Sequence, residues 1–202
     1  MVSVITGDII NSRKSNPKSY LRLLKRELME YGETPSAWEI YGGDSFQLLI
    51  EDPKEALLVC IRIKAAIKSL KPLDVRFSIG LGNLSYKSKR ITECNGSAFI
   101  NSGERFKRLK KDKLKLAVES GNTEADKIIN LCLKLGMIAM DRWSYVSSET
   151  VGLALSDKNA SQEELGKVLK IKQNAVSNRL ARAHFNEILE IDELFRDFIK
   201  RL

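Results

Sequence analysis

Ala37-Trp38-Glu39-Ile40-Tyr41-Gly42-Gly43-Asp44-Ser45-Phe46-Gln47-Leu48-Leu49-Ile50-Glu51 holds the clearest fold information in the chain. Two apolar runs, 37–41 and 46–51, flank Gly42-Gly43-Asp44-Ser45. Paired glycines followed by Asp between such runs predict a tight turn, so the runs form an antiparallel hairpin. A doubly wound parallel sheet would lack this connection, because parallel neighbours need long crossovers. Upstream, Val2 to Thr6 reads as a strand ending at Gly7-Asp8. Pro17 behind the cap residue Asn16 opens a helix with Leu21, Leu24, Leu28 and Tyr31 at helical spacing, and Gly32 ends it. Downstream, Asp52-Pro53 opens a second helix with Ala56, Cys60, Ile63, Ile67 and Leu70 on one stripe, and Pro72 closes it. A strand at 75–81, a polar basic loop at 83–95, a helix at 96–110 and a last strand at 114–118 follow. This is the ferredoxin-like order with an extension: an α+β fold in which an antiparallel sheet carries helices on one face.

Beyond Gly121-Asn122 the pattern turns helical throughout. Two domains are therefore expected, 1–121 and 122–202. Ile128, Leu131, Leu135 and Ile138 mark an amphipathic helix. Ser161 with Glu164 three residues on is a capping box. Leu165, Val168 and Leu169 form the inward side of the helix it opens, and Ile171 fills a turn. Val176, Leu180 and Ala183 form the inward stripe of the next helix, leaving Gln173, Asn174, Ser177 and Ala181 on its outer face. The segment 161–183 looks like the helix-turn-helix of bacterial regulators and sigma-factor-like domains. Gln and Asn suit bidentate pairing with adenine, while Lys172, Arg179 and Arg182 suit the phosphate backbone. Lys172, Gln173, Asn174, Ser177, Asn178, Arg179 and Arg182 are the expected DNA contacts. The alternative is a helical hairpin used only for packing. From Phe185 on, Ile188, Ile191, Phe195, Phe198 and Leu202 recur at spacings of three and four, a heptad seam. It either forms a homodimer helix or packs back onto 123–155; a second half-site favours the homodimer.

Composition bounds the chemistry. The 202 residues are 43% apolar and 30% charged, enough apolar material for a packed core. No apolar run reaches the length of a membrane span, and the first residues do not resemble a secretory signal, so a cytoplasmic protein without a membrane partner is expected. Three widely spaced cysteines, Cys60, Cys94 and Cys132, offer neither a disulfide framework nor a CxxC site. The single histidine, His184, excludes His-rich zinc chemistry. No GxxxxGK[ST] or GxGxxG pattern occurs, which sets aside Walker-type and Rossmann chemistry. The net charge of +8 suits a polyanionic partner. Residues 104–115 are densely basic, read either as a phosphate-attracting track or as a solvated helix end.

Asp8 after the first strand and Asp44 in the hairpin turn would meet at one sheet edge. Two close carboxylates repel unless a proton or cation intervenes, and Mg²⁺ is the usual cation where phosphates bind. The plainer alternative is that Asp8 caps a turn and Asp44 is the polar residue of a hairpin.

Tyr41-Gly42-Gly43-Asp44-Ser45-Phe46 resembles the signature turn of GGDEF domains, which share a palm-type fold with class III nucleotide cyclases. The resemblance implies metal binding at Asp8 and Asp44. Gly96-Ser97-Ala98-Phe99-Ile100-Asn101-Ser102-Gly103-Glu104-Arg105 resembles the cyclase helix in which an Asn precedes an Arg by one turn. It implies ribose contact by Asn101 and phosphate contact by Arg105. Arg13 and Lys14 beside Asp8 either hold a phosphate, with Arg13 as the nucleotide ligand, or simply solvate a loop. Ser45 stands where GGDEF domains carry Glu, and Ile40 where cyclases often carry a base-reading Lys. Gly7-Asp8-Ile9-Ile10-Asn11-Ser12-Arg13, together with Gly96-Ser97-Ala98-Phe99 and the C-terminal segment, is similar to the SatD family of bacterial proteins. The expected function is a transcriptional regulator that binds double-stranded DNA through 161–183 and senses a nucleotide with a cyclase-like domain. The competing expectations are a Mg²⁺-dependent nucleotidyl cyclase or nucleotidyltransferase with a helix-turn-helix module, and an interaction protein with an inactive palm domain.

Overall fold

The computed structural model describes residues 1–157 and 159–202. The first half runs β1 (Val2–Ile10), α1 (Pro17–Met29), β2 (Trp38–Tyr41), β3 (Ser45–Ile50), α2 (Ala56–Lys68), β4 (Asp74–Gly82), α3 (Ser97–Leu109) and β5 (Leu116–Glu119). Local chemistry sets several boundaries. The Asn16 side chain accepts from the Lys18 amide at 3.0 Å with Pro17 in the first helical position, which satisfies an otherwise orphaned donor. Asp52 does the same for the Lys54 amide ahead of α2. At the β2–β3 turn Gly42 and Gly43 both have positive φ, 60° and 87°, which side chains with a Cβ resist.

The five strands form one mixed sheet in the order β2-β3-β1-β4-β5. β1 lies at the centre, antiparallel to β3 and β4, and β5 pairs parallel with β4. β1 is longer than the sequence pattern suggests. Its pairing with β4 continues through Asp8↔Arg76 to Ile10↔Asp74, so Asp8 lies inside the strand rather than after it. Neighbours on both sides hold the backbone extended past Gly7, which alone would have ended an edge strand.

Both faces of the sheet are covered, which corrects the expectation of helices on one face. Ile5, Leu48, Ile50, Phe77 and Ile79 pack with α1 and α2, whereas the alternate residues Val4 and Leu49 pack with Ala98 and Phe99 of α3. β3–α2–β4 and β4–α3–β5 both step the same way across the sheet between parallel strands, yet their helices lie on opposite faces. The two crossovers therefore have opposite hands, against the strong general preference for one. Gly80 permits the close seat of α3: a Cβ there would stand 2.2 Å from the Ala98 carbonyl oxygen and the Ser102 amide. Hydroxyls then pin the helix, with Thr6 Oγ1 2.7 Å from Ser102 Oγ and Ser78 Oγ donating to the Ser102 carbonyl. The 83–95 segment is only partly open. Ile91 and Cys94 are buried in the α3-side core.

The second half contains α4 (Thr123–Asp141), α5 (Tyr145–Ser156), α6 (Gln162–Leu169), α7 (Gln173–Arg182) and α8 (Phe185–Lys200). One contiguous core runs from the sheet into these helices, joining Ile5 and Leu57 to Leu133, Val151, Ile188 and Phe195. Two expectations change here. In α4 the inward residues are Ile129, Leu133, Met137 and Met140, while Ile128, Leu131, Leu135 and Ile138 face solvent. The α8 seam packs back: Ile188 and Phe195 are buried and so are not free to join two copies, while the half-buried Ile191 lies close against α4, where a Cβ on Gly136 would meet it at 2.7 Å. No helix among the described residues is long and apolar enough to cross a membrane.

Candidate functional site

Two polar surfaces contain the residues singled out from the sequence. The first lies on the α3 side of the sheet. Asp8 sits opposite Ser45 on β3 and Arg76 on β4. The Arg76 guanidinium grips both Asp8 carboxylate oxygens, Nε to Oδ1 at 2.8 Å and Nη2 to Oδ2. Hydrogen bonding to Asp8 raises the Arg76 pKa; burial opposes the shift, and the charges of Asp8 and Asp44 add to it. Asp44 leaves the hairpin with its carbonyl accepting from the Ile9 amide at 3.0 Å, while Ser12 Oγ donates to its Oδ2 at 2.6 Å. Burial raises the Tyr41 hydroxyl pKa, helped by the Asp8 charge, and burial with the Asp44 charge does the same for Tyr20. Arg13 is exposed in the 3₁₀ turn Ser12–Lys14 that carries Ser12 to Asp44.

The structure gathers Asp8, Asp44, Ser12, Ser45 and Arg76 at one end of the sheet. It ties Asn101 and Arg105 elsewhere. Asn101 Nδ2 donates to the Leu81 carbonyl at 2.7 Å, and Arg105 pairs with Asp112 at 3.3 Å. Both anchor α3 and the turn that follows it.

Mg²⁺ takes hard oxygen ligands with open lone pairs. Here Asp8 has both oxygens on Arg76, Asp44 accepts from Ser12, and the described residues contain no group of three or more His, Cys, Asp or Glu placed to hold a metal ion. As arranged, the pair does not fit the ion, because a guanidinium already supplies the positive charge.

The second surface is α7. The Ser161 capping box is complete: Ser161 Oγ accepts from the Glu164 amide, and the Glu164 carboxylate accepts from the Ser161 amide at 2.7 Å. α6 ends at Lys170, which has positive φ. Gly166 packs against the turn so closely that a Cβ would lie 2.8 Å from the Ile171 carbonyl oxygen. Val176 and Ala183 are buried beneath α7, but Val168 is 65% exposed rather than part of the inward side. Lys172, Gln173, Asn174, Asn178 and Arg182 face solvent, whereas Ser177 and Arg179 are half-buried. Gln173 donates to Gln162 at 2.8 Å, and Arg179 reaches Thr150 Oγ1 at 3.5 Å. α7 contains no acidic residue.

Sequence reasoning missed the charged groups that join the two halves. Lys64 of α2 is 1% exposed and pairs with Asp74 at 2.8 Å and Asp141 at 2.9 Å; Lys115 bridges the same two carboxylates. A lysine inside the apolar run Leu57-Leu58-Val59-Cys60-Ile61-Arg62-Ile63-Lys64-Ala65 was the available signal. A cleft of about 470 Å³ also opens between the halves, lined by Arg26, Glu27, Arg62, Ser148, Val168 and Lys170 among others.

A family model of the SatD family matches residues 2–190, from β1 into α8. The chain belongs to the SatD family. The match takes in both the sheet and the helices that pack on it, so family membership covers the two polar surfaces together. No curated protein matches the chain.

Proposed function

We propose that this SatD family protein is a DNA-binding transcriptional regulator, with α6 and α7 acting as a helix-turn-helix. The observation that carries the reading is the outer face of α7. Lys172, Asn174, Asn178 and Arg182 are exposed and have no side-chain partner among the described residues, and no carboxylate lies on the helix to repel phosphate. Asn174 and Asn178 are four apart, so both can reach base edges from one side of a helix laid in a major groove. Lys172 and Arg182 stand at its two ends, where the phosphate backbones pass. Gln173 completes the contact set by exchanging its Gln162 hydrogen bond for the ligand, and Ser177 and Arg179 once their half-buried side chains turn outward.

The sheet half is the sensor in this reading. Its strand order, antiparallel core and glycine hairpin support a palm-type, ferredoxin-like arrangement. The Arg76–Asp8 pair and Ser45 favour nucleotide binding without turnover over a nucleotidyl cyclase or nucleotidyltransferase.

Fluorescence anisotropy with labelled duplex DNA at rising salt tests the proposal. The logarithm of the binding constant should fall linearly with the logarithm of salt concentration. The double variant Lys172→Ala/Arg182→Ala should make that slope shallower by about two if each residue meets one phosphate. Absence of binding at low salt, or an unchanged slope in the variant, would sink the DNA reading. Calorimetry with nucleotides tests the sensor: Arg13→Ala, at the exposed cation beside Asp44, should weaken binding, and no heat with the wild type would leave the sheet half a scaffold.

A further inference from the structure

The molecule leaves one large apolar surface uncovered. Ile128, Leu131, Leu135 and Ile138 of α4 are 70%, 58%, 58% and 55% exposed, and they recur at heptad spacing along the helix. The neighbouring edge of α8 continues the surface. Leu194 borders a groove with Ile128, and Ile191 borders a second with Leu135 and Ile138. α4 and α8 therefore lie antiparallel and present a two-helix face, apolar along α4 and edged on α8 by Glu187, Asp197 and Arg201 around Ile191 and Leu194. Its open side chains amount to on the order of 600 Å² per copy, at the upper end of what monomers leave bare and close to the roughly 800 Å² per partner of a stable interface.

The rims of this face carry opposite charges. Lys134 stands on the flank of the α4 stripe away from α8, and Glu190 stands exposed on α8; of the neighbouring charges, Lys127 is paired with Glu124, and Asp197, which lines the Leu194 groove, with Lys200. We propose that the face joins two copies of this chain into a homodimer. A two-fold axis running along the helices sets α4 of one copy against α8 of the other. The basic rim of each then meets the acidic rim of its partner, and the four helices close into a bundle. A two-fold axis across the helices would instead face lysine with lysine. Lys134 and Glu190 have no intrachain ion pair among the described residues, so both are available to the partner. The surface differs from the α8 seam read from the sequence: Ile188 and Phe195 lie inside the protomer, and α4 supplies the contact instead. The inference stands apart from the DNA reading, since no residue it substitutes lies on α7, although Arg182 at the end of α7 borders the Ile191 groove.

Sedimentation equilibrium on the full chain tests the interface. The wild type should weigh twice 22.8 kDa at micromolar concentration. Leu131→Glu replaces a solvent-facing side chain, so the protomer should keep its circular dichroism spectrum while dimer affinity falls at least about a hundredfold. Lys134→Glu and Glu190→Lys should each weaken the dimer about tenfold, because each sets like charges on facing rims. Combining both changes in one chain should restore most of the lost affinity. A monomeric wild type, or a Leu131→Glu chain that stays dimeric, overturns the proposal. Failure of the charge exchange to restore affinity overturns the two-fold arrangement.

Discussion

The polar face of the sheet and the polar face of α7 both carry charged and hydrogen-bonding side chains, but they use them differently. On the sheet Asp8 is held by Arg76 and Asp44 by Ser12, and on the helix α3 that covers it Arg105 is held by Asp112. On α7 Lys172, Asn174, Asn178 and Arg182 point outward with no partner among the described residues. A charge satisfied inside the chain contributes to folding, and disturbing it costs stability. An exposed donor contributes little to folding and is free for another molecule. The contrast predicts that substitutions on the sheet lower stability and that substitutions on α7 lower binding alone.

The largest effect should come where charges are most enclosed. Asp74→Asn leaves Lys64 buried with one anchor fewer and should cost about 3–5 kcal/mol in urea denaturation. Burial pushes the Asp74 pKa up, but the charges and hydrogen bonds of Lys64 and Lys115, with the Lys68 charge, outweigh it and hold the carboxyl below 3.8. A depressed folded pKa means stability that is complete above the unfolded value and lost as pH falls through the folded one. The urea midpoint should therefore drop below about pH 4, and Asp74→Asn should flatten that limb. An unchanged acid limb would show that this network does not hold the halves together.

Arg76→Ala sharpens the comparison at the candidate site. It strips the partner from a mostly buried Asp8 and should cost about 2 kcal/mol. The freed carboxylates should then acquire Mg²⁺-dependent stabilisation that the wild type lacks, readable as a melting-temperature rise with added Mg²⁺. Equal Mg²⁺ response in both proteins would show that the guanidinium does not occupy the cation's place. Ser161→Ala removes the cap of α6 and should cost about 1 kcal/mol, with a matching loss of DNA affinity as α6 frays. The smallest change in stability belongs to Lys172→Ala and Arg182→Ala, within about 0.5 kcal/mol of wild type. A larger loss would mean that α7 is packed, not presented.

Part of this arrangement was legible in the sequence because local chemistry writes it. The Gly42-Gly43 hairpin, the Asn16 and Asp52 caps and the Ser161–Glu164 box each involve residues at most a few positions apart. The candidate acids were legible as a pair for the same reason. What holds Asp8 was not: Arg76 is 68 positions away, and only the β1–β4 register sets the two side by side. Asn101 and Arg105 share a helix face as their spacing requires, yet spacing says nothing about where that face points. It turns to the Leu81 carbonyl and to Asp112.

α4 gives the sharpest division between the two kinds of information. The sequence alone determined that residues near 123–141 form an apolar-rich helix, because the periodicity and the Asn122 cap are local. It could not determine which side faces inward, because Ile128, Leu131, Leu135 and Ile138 and also Ile129, Leu133, Met137 and Met140 are apolar at helical spacing. Two good stripes on one helix leave the choice to whatever packs against it. The small residue Gly136 seats α8 against one flank of α4, and Asp141 at its end joins Lys64 of α2. These long-range contacts bury the second stripe and leave the first to water. The placement of α3 follows the same logic. Its hydrophobic spacing made it a helix, but the close approach permitted by Gly80 and the hydroxyls of Thr6, Ser78 and Ser102 put it on the far face of the sheet. Periodicity within a segment fixes what that segment becomes. Its position depends on partners distant in the chain, whose shape and charge exist only once the chain has folded.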